Sequence, residues 1–254
     1  AHPMAQGVGL TMGLAAGGYL RGGDKYLCTF GSVLQHRAFP APLEVAVMLY
    51  PNMRQPWEIF VNARGARFVR EDHPSVDHRE KALLAQPGHR HFIVFDQEIL
   101  DKAPPIAPTW PRQKLDAAFN AHPMFVKADT LGELAARAGL DAPVLAKSVA
   151  DYNAAQAAGS DRLGRNHMPL PIARPPFYAI AVQGFTVKSC AGLGIDTRMR
   201  VLKPGGAPIP NLYAVGEVIG GGNTSGDSFV NGMMVTPALT FGRMLGQSIL
   251  NFES

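Results

Sequence analysis

Apolar residues spaced three and four positions apart predict a short helix near the start of the chain. Residues 6–20 place Leu10, Leu14 and Ala15 on one helical face. The pair Gly17-Gly18 follows this face and favours the end of the helix there, because glycine readily adopts the backbone angles of a helix C-terminus. Residues 21–57, rich in Pro and Gly, predict irregular structure.

A second helical pattern, over residues 129–159, predicts two consecutive helices. Asp129 and Thr130 can cap the first, with Glu133 at the spacing of a capping box, and Gly139 ends it. The second begins around Pro143, closes at Gly159, and has a common apolar face of Leu145, Val149 and Tyr152.

Short apolar runs predict strands elsewhere. Residues 59–61 and 66–69 read as two strands joined by a hairpin turn at 62–65. Further strand runs occupy residues 91–96, 177–182, 186–196 and 209–218. The last run leads into a glycine-rich loop, 219–226, and then into a helix predicted over residues 232–250.

Composition identifies a compact globular chain. It has 254 residues, of which 46% are apolar and 17% charged. The net charge of +4 comes without basic clusters interleaved with aromatic residues, so we expect no nucleic-acid binding; anionic ligands fit a mild basic excess at least as well. No apolar run is long enough for a membrane span.

The termini and cysteines favour a reduced, cytoplasmic protein. Ala1-His2-Pro3-Met4 lacks the basic start and apolar stretch of a signal peptide, and the absence of an initiator methionine suggests a processed or excised chain. Cys28 and Cys190 lie in no metal-ligand spacing, although a single disulfide between them stays open.

Metal and hydrolase chemistry find little support. His89 and His91 could ligate a metal with a third partner, but a solvated pair is the favoured interpretation, and we predict no metal site. No GxSxG or HExxH run occurs. Arg64, Arg67 and Arg70 recur at every third position, which is more typical of a solvated hairpin than of an anion site.

The strand, glycine-rich loop and helix near the C-terminus suit an anionic or electron-rich ligand. A helix beginning after such a loop presents free backbone N–H groups and a positive dipole end. Glycine lets the backbone approach a ligand closely. An ordinary strand–loop–helix connection is about as probable on these grounds alone, since a lone glycine-rich loop is a weak signal.

Particular motifs resemble the fumarate reductase and succinate dehydrogenase flavoprotein family. The pattern N-L-Y-A-x-G-E at 211–217, the glycine-rich loop and the T-F-G-R helix segment at 240–243 match its flavin-binding segment. The run at 237–242 is most similar to the 3-ketosteroid dehydrogenase branch of the family. A tricarballylate dehydrogenase-like branch is the alternative that the resemblance leaves open. The run IFVNARGARFVRED at 59–72 resembles the family's substrate-capping domain.

The resemblance implies an FAD-dependent oxidoreductase that moves a hydride between flavin N5 and a small organic acid or ketone. Glu217 matches the glutamate that contacts FAD in the family. The helix start beneath the isoalloxazine matches Gly232, Met233, Met234, Val235 and Thr236. There, backbone N–H groups would stabilise negative charge on the flavin.

The substrate side of the resemblance departs from the fumarate pattern. Lys188 stands where the family has an active-site histidine, and we expect it to hold a substrate carboxylate or carbonyl. Arg79 or His78 is the candidate proton carrier, with the alignment slipping by a residue or more. A small acid other than fumarate, or a ketone, is therefore the expected substrate; the electron partner stays unknown.

The family's opening strand–GxGxxG–helix unit has no match in this chain. The expected fold class is α+β: a capping domain of mixed sheet and helices over 35–182, with the remnant of an α/β FAD-binding domain in residues 1–34 and 183–254. The alternative is a non-catalytic fragment or small-molecule-binding module that does not bind FAD by itself.

Overall fold

A computed structural model describes residues 6–249, which form two compact units. Unit 1 comprises residues up to Leu27 together with those from Thr186 onward, and unit 2 comprises Cys28–Phe185. The described strands are β1 Leu20–Arg21, β2 Val33–Leu34, β3 Leu43–Val45, β4 Ile59–Asn62, β5 Arg90–Asp96, β6 Phe125–Ala128, β7 Phe177–Gln183, β8 Gly192–Leu193, β9 Arg200–Leu202 and β10 Pro208–Tyr213. The described helices are α1 Val8–Ala15, α2 Val76–Leu84, α3 Gln97–Lys102, α4 Arg112–Ala121, α5 Leu131–Ala138, α6 Ala142–Ala158, α7 Gly221–Thr224 and α8 Val235–Ser248.

Unit 2 is built on one antiparallel sheet in the order β4-β5-β7-β6. In β7 every residue is buried, and in β5 every residue but the first. Burial on both faces explains why these strands read as continuous apolar runs instead of alternating patterns. The pairs Ile59↔Val94, Ile93↔Ile180 and Phe125↔Ile180 fix the register across the sheet.

Helices α5 and α6 begin and end where the sequence predicts. The Thr130 side chain accepts a hydrogen bond from Glu133 N, and Asp141 caps α6 through Val144 N. Gly139 and Gly159 end the two helices in the left-handed conformation, with φ of 76° and 64°. Both helices place apolar residues in the core of unit 2, including Leu134, Leu145 and Tyr152, all fully buried.

Unit 1 has a smaller core around Leu193, Val201, Ile209, Ala214 and Ile219. Two two-stranded sheets, β1-β8 and β9-β10, contribute to it. Helix α8 has no buried residue, and Leu239 on it is 70% exposed. Phe241 of α8 packs against the core of unit 1, and much of the rest of the apolar surface of the helix is exposed.

Several sequence predictions are confirmed and others are wrong. The strands predicted at 59–61, 91–96 and 177–182 are present as β4, β5 and β7. The strand predicted over 209–218 ends at Tyr213 as β10, and residues 216–219 form a turn of 3-10 helix instead. The predicted glycine-rich loop contains the short helix α7, and the helix predicted from residue 232 begins at Val235 as α8. The returning strand at 66–69 is absent: only an isolated Val61↔Arg67 bridge forms, because Arg67 turns into the core. The strand predicted over 186–196 is reduced to β8. The N-terminal Ala1-His2-Pro3-Met4 run and the predicted helix end at residue 250 lie outside the described residues.

The fold is thus mixed α/β with several small sheets. Both cysteines are free and buried, which removes the open alternative of a disulfide. No described helix has the length and apolar character needed to cross a membrane.

Candidate functional site

In unit 1, strand β10 leads directly to Glu217. A turn of 3-10 helix, Gly216–Ile219, follows the strand and leaves the Glu217 side chain exposed. Its Oε1 accepts a hydrogen bond from Ser189 N at 3.2 Å. This single backbone contact orients the carboxylate, whose second oxygen is a good acceptor for ligand hydroxyl groups.

The glycines after Glu217 are required for backbone packing inside unit 1. A Cβ on Gly192 would lie 1.9 Å from Ile219 C, and one on Gly220 would lie 2.4 Å from Cys190 O. Gly222 is equally confined, at 2.7 Å from the carbonyl oxygens of Cys190 and Gly22. These glycines therefore bring three stretches of unit 1 into contact, so the ordinary structural explanation accounts for this part of the loop.

Helix α8 starts without a side-chain cap. Met234 occupies the N-cap position and makes no side-chain cap hydrogen bond. Gly232 lies just before it with φ +79°, and Thr236 N bonds back to Gly232 O at 2.8 Å. Val235 and Thr236 are exposed. A helix start with this geometry presents its positive end to a ligand.

Lys188 lies beside this helix start. Its half-buried side chain places Nζ 3.5 Å from Met233 Sδ. Unit 1 thus brings together two groups that the sequence predicted separately: the substrate-holding lysine and the residues expected beneath a flavin. A single ammonium next to a helix N-terminus makes this surface attractive to negative charge.

In unit 2, the two candidate proton carriers differ sharply in environment. His78, on α2, is exposed and its ring stacks on His73 at 4.0 Å between centroids. Arg79 is fully buried between the rings of Phe30 and Tyr50, with its Cζ 5.4 and 5.3 Å from their centroids. Burial lowers the pKa of Arg79 to about 10.

Arg79 belongs to a buried polar group that sequence reasoning missed. Its Nη1 donates to Leu49 O, while Nε and Nη2 have no hydrogen-bond partner among the described residues. His91, interpreted above as solvated, is fully buried against Phe30 and Phe60. Desolvation, with a further contribution from Arg79, lowers the pKa of His91 to about 3, so this imidazole is neutral at physiological pH.

Arg67 is a second correction. It was expected on a solvated hairpin, but it is buried and makes two hydrogen bonds to Glu71, at 2.8 and 2.7 Å. A third bond, of 2.7 Å, reaches Asp161 Oδ1. Arg165 lies 3.6 Å from the same Glu71 carboxylate, and both guanidinium groups lie over the Tyr152 ring. The network is charge-balanced, and it has a structural role in unit 2.

The donor set in unit 1 fits one part of FAD. An exposed carboxylate suits the hydroxyl groups of the ribityl or ribose chain, and an uncapped helix start suits the electron-rich edge of the flavin ring. Among the described residues 6–249, no strand, GxGxxG loop and helix form the arrangement that usually holds a dinucleotide phosphate.

Metal binding finds no support in the part of the chain that the structure describes. No group of three or more His, Cys, Asp or Glu side chains there is arranged to hold a metal ion. His89 and His91 diverge in environment, since His91 is enclosed by aromatic rings and His89 is half-buried.

Comparison with known proteins identifies related flavoproteins. The family model described as "FAD binding domain" matches residues 1–226. A probable fumarate reductase of Shewanella frigidimarina is 32% identical over 203 residues, covering 80% of this chain and 32% of that protein. A 3-oxosteroid 1-dehydrogenase of Mycobacterium tuberculosis is 30% identical over 213 residues, covering 74% of this chain and 37% of its own length.

A solved structure supports the fold. The 3-ketosteroid Δ1-dehydrogenase of Sterolibacterium denitrificans aligns with a TM-score of 0.76 at 24% identity, covering 97% of this chain and 47% of that one. The chain spans about a third of the length of the two curated relatives described above.

Proposed function

Because this chain belongs to the FAD-binding-domain family of fumarate reductase and 3-ketosteroid dehydrogenase flavoproteins, we propose that it is part of an FAD-dependent oxidoreductase. In the whole protein, a hydride would move between flavin N5 and a carbon of a small organic acid or ketone. The observation that carries the proposal is the family match over residues 1–226, joined to the exposed Glu217 carboxylate and the uncapped start of α8.

The two units suggest two separate functions, substrate capping and FAD binding. We infer that residues 35–182 form the substrate-capping domain and that residues 1–34 and 183–254 belong to the FAD-binding domain. The sheet of unit 2 supports the first assignment, with the motif at 59–72 that resembles the family's capping domain on β4 and the turn after it. The compact unit itself runs from Cys28 to Phe185, so it includes a few residues beyond each end of 35–182. Glu217 and α8 in unit 1 support the second.

The residues of unit 1 have two tasks in this proposal. Glu217 and the residues from Gly232 to Thr236 would hold FAD, which when bound supplies the hydride-accepting and hydride-donating ring. Lys188, 3.5 Å from Met233, would bind a substrate carboxylate or carbonyl next to that position.

A residue of unit 2 would move the proton that accompanies the hydride. Arg79 is one candidate, because burial lowers its pKa to about 10 and so eases release of a proton, but its side chain is fully buried between Phe30 and Tyr50 and would have to become accessible to a ligand. His78 stays an alternative, because its exposed ring is free to meet a ligand without any rearrangement of the core.

The substrate class is a small unsaturated or saturated acid, or a ketone. The names of the two curated relatives span this range, a fumarate reductase and an oxosteroid dehydrogenase. Lys188 is compatible with either class, because an ammonium binds a carboxylate or polarises a carbonyl oxygen. The electron partner is undefined, and a cytoplasmic location stays a prediction.

Cofactor binding is tested by titrating FAD into the purified chain and following flavin absorbance and fluorescence. We expect saturable binding that Glu217→Gln weakens by about tenfold, the loss of one hydrogen bond to a charged group. Glu133→Gln is the matched control, since Glu133 is also exposed and lies on α5 in unit 2. Absence of FAD uptake by the unmodified chain would contradict FAD binding by this chain.

The second candidate function is a non-catalytic fragment or small-molecule-binding module. It rests on the absence of a strand–GxGxxG–helix unit among the described residues 6–249. The same titration separates the two candidates. If the chain takes up FAD, turnover with reduced methyl viologen and a panel of unsaturated acids and enones decides whether the complex is an enzyme.

A further inference from the structure

Unit 2 contains a cavity of about 230 Å³ whose lining includes none of the residues assigned above to cofactor or substrate. It lies between the end of β5, helices α3 and α4, and the Pro-rich loop that joins those helices. Three core side chains form part of its lining: Phe95, Ile99 and Leu115, all less than 10% exposed. Ile106 and Trp110 contribute further apolar surface.

The walls of the cavity are fixed before any ligand arrives. Arg54 Nε donates to Pro104 O at 2.8 Å, and Met48 N donates to Ile106 O at 2.7 Å, so the Pro-rich loop is tied at two points. The Trp110 indole stacks on Phe125 at 5.8 Å and lies 4.2 Å from the Lys114 ammonium. A preformed pocket binds without the cost of ordering its own walls.

The charged side chains at the cavity are already neutralised by one another. Arg54 makes two hydrogen bonds to the Glu58 carboxylate, and Arg112 Nη2 bonds to Asp101 at 3.1 Å. Two cations and two anions therefore cancel. Arg112 Nη1 also donates a hydrogen bond to Leu100 O at 3.1 Å. Beside the Arg54–Glu58 pair, whose side chains are 5% and 3% exposed, a charged ligand would lose its hydration and gain no unpaired opposite charge in return. The Arg112 and Asp101 side chains, 44% and 46% exposed, lie where the cavity meets solvent.

We propose that this cavity binds a small neutral molecule built on a single apolar ring. Its volume exceeds the roughly 150 Å³ of an engineered apolar cavity that accepts benzene, so one substituted ring fits. The binding would occur in unit 2 alone and would not require FAD, so its outcome is independent of the proposed function.

The experiment uses toluene as the probe, titrated into the isotopically labelled chain. The chain has two tryptophans, so its ¹H–¹⁵N spectrum has two indole N–H signals, and Trp57→Phe assigns them. We expect toluene to shift the Trp110 signal saturably. Benzoate and benzylammonium carry the same ring with a charge, and we expect each to bind at least about tenfold more weakly.

A substitution that partly fills the cavity tests whether toluene binds there. Ala103 contributes to the lining, and its extended backbone, φ −71° and ψ 149°, accepts a larger side chain before Pro104. Ala103→Leu should weaken toluene binding at least about fivefold, the loss expected when part of the space is occupied. The same change at Ala117, exposed on α4 and absent from the lining, should leave binding unchanged.

The proposal is overturned if toluene causes no saturable shift of Trp110, or if benzoate or benzylammonium binds as tightly as toluene. It is equally overturned if Ala103→Leu folds and binds toluene like the unmodified chain. Should Ala103→Leu fail to fold, the comparison of neutral and charged rings in the unmodified chain decides alone.

Discussion

The Arg67 guanidinium and the Glu71 carboxylate form a two-bonded ion pair whose side chains are 1% and 0% exposed. The two residues are four positions apart on an irregular segment, not on a helix. Phe60 N also donates to Glu71 at 3.4 Å, and Arg67 N donates to the Ser148 hydroxyl at 3.3 Å. The pair therefore ties the segment after β4 to both the sheet and helix α6.

Removing one partner of this pair should destabilise unit 2 strongly. Arg67→Met keeps much of the side-chain length but leaves the carboxylates of Glu71 and Asp161 buried with less compensation. We expect a loss of about 3–5 kcal/mol in the free energy of unfolding. Urea unfolding followed by circular dichroism measures it. Arg64→Met, at an exposed arginine of the same segment, is the control and should change stability by less than about 0.5 kcal/mol.

Sequence patterns predicted five regular elements of unit 2, namely β4, β5, β7, α5 and α6, because their signals are local. Strands β2, β3 and β6 and helices α2, α3 and α4 were not predicted. Thr130 acts on the residues just after it, and Gly139 and Gly159 act on the residues just before them, so helix ends can be located without tertiary information. The apolar runs of β5 and β7 are equally local. Helix α2 was not predicted, since its apolar positions are interrupted by charged residues that the fold buries, Arg79 and Glu80 among them.

The buried polar groups could not be predicted in the same way. Arg67 and Asp161 are 94 positions apart, and nothing in the residues near Arg67 specifies a partner at that distance. The one available signal was the position of Arg67 within the family motif. In unit 1 the predicted Glu217 and helix start lie where expected in the chain, but the proximity of Lys188 to Met233 depends on the fold.

Acid should weaken unit 2 through Asp161. Burial alone would raise the pKa of this carboxyl, but hydrogen bonds and charge from Arg67 outweigh burial and hold its pKa below the usual value. A folded-state pKa below the unfolded one gives stability that is present above about pH 4 and lost as the pH falls further. The urea midpoint should therefore drop between about pH 5 and pH 3.

Asp161→Asn tests this dependence. The variant should be less stable than the unmodified chain at pH 7 and should lose less stability on acidification, because it has one fewer carboxylate to protonate. Asp129→Asn, at an exposed position, serves as the control and should keep the full acid dependence. Equal pH slopes for Asp161→Asn and the unmodified chain would exclude Asp161 as the source.

His91 should produce a separate dependence at milder pH. Its pKa of about 3 in the folded state lies far below the unfolded value near 6.5. The unfolded chain therefore binds a proton that the folded chain rejects, and stability falls as the pH drops from about 6.5 towards 3. Between pH 6.5 and 5 this one group removes about 2 kcal/mol at most.

His91→Phe tests the assignment, because the ring is already surrounded by Phe30, Phe60 and Phe68. The variant should lose the share of the stability difference between pH 7.5 and pH 5 that His91 contributes, about 2 kcal/mol at most, and it should gain stability at pH 5. His73, His122 and His167, whose pKa values burial also lowers, should supply the remainder. It also removes two ring nitrogens that have no hydrogen-bond partner among the described residues. His36→Phe, at an exposed histidine, should retain the pH difference. A His91→Phe variant with the unmodified pH dependence would contradict the buried, neutral state.

Gly192 and Gly242 make a matched pair for testing the packing that supports the candidate flavin site. A methyl group on Gly192 would lie 1.9 Å from the Ile219 carbonyl carbon and 2.1 Å from Gly220 N, so backbone atoms that cannot rotate away must shift. The displaced segments are those that orient Glu217 through Ser189 N. Gly192→Ala should therefore lower the thermal midpoint of unit 1 and weaken FAD binding together, with faster amide exchange in β8 and residues 216–222.

On Gly242, within α8, the same methyl group would meet nothing within 4 Å. Gly242→Ala should stabilise the helix by up to about 1 kcal/mol, because alanine loses less backbone freedom on folding. If Gly192→Ala unfolds no earlier than Gly242→Ala, the close approach of β8 to residues 219–220 is wrong.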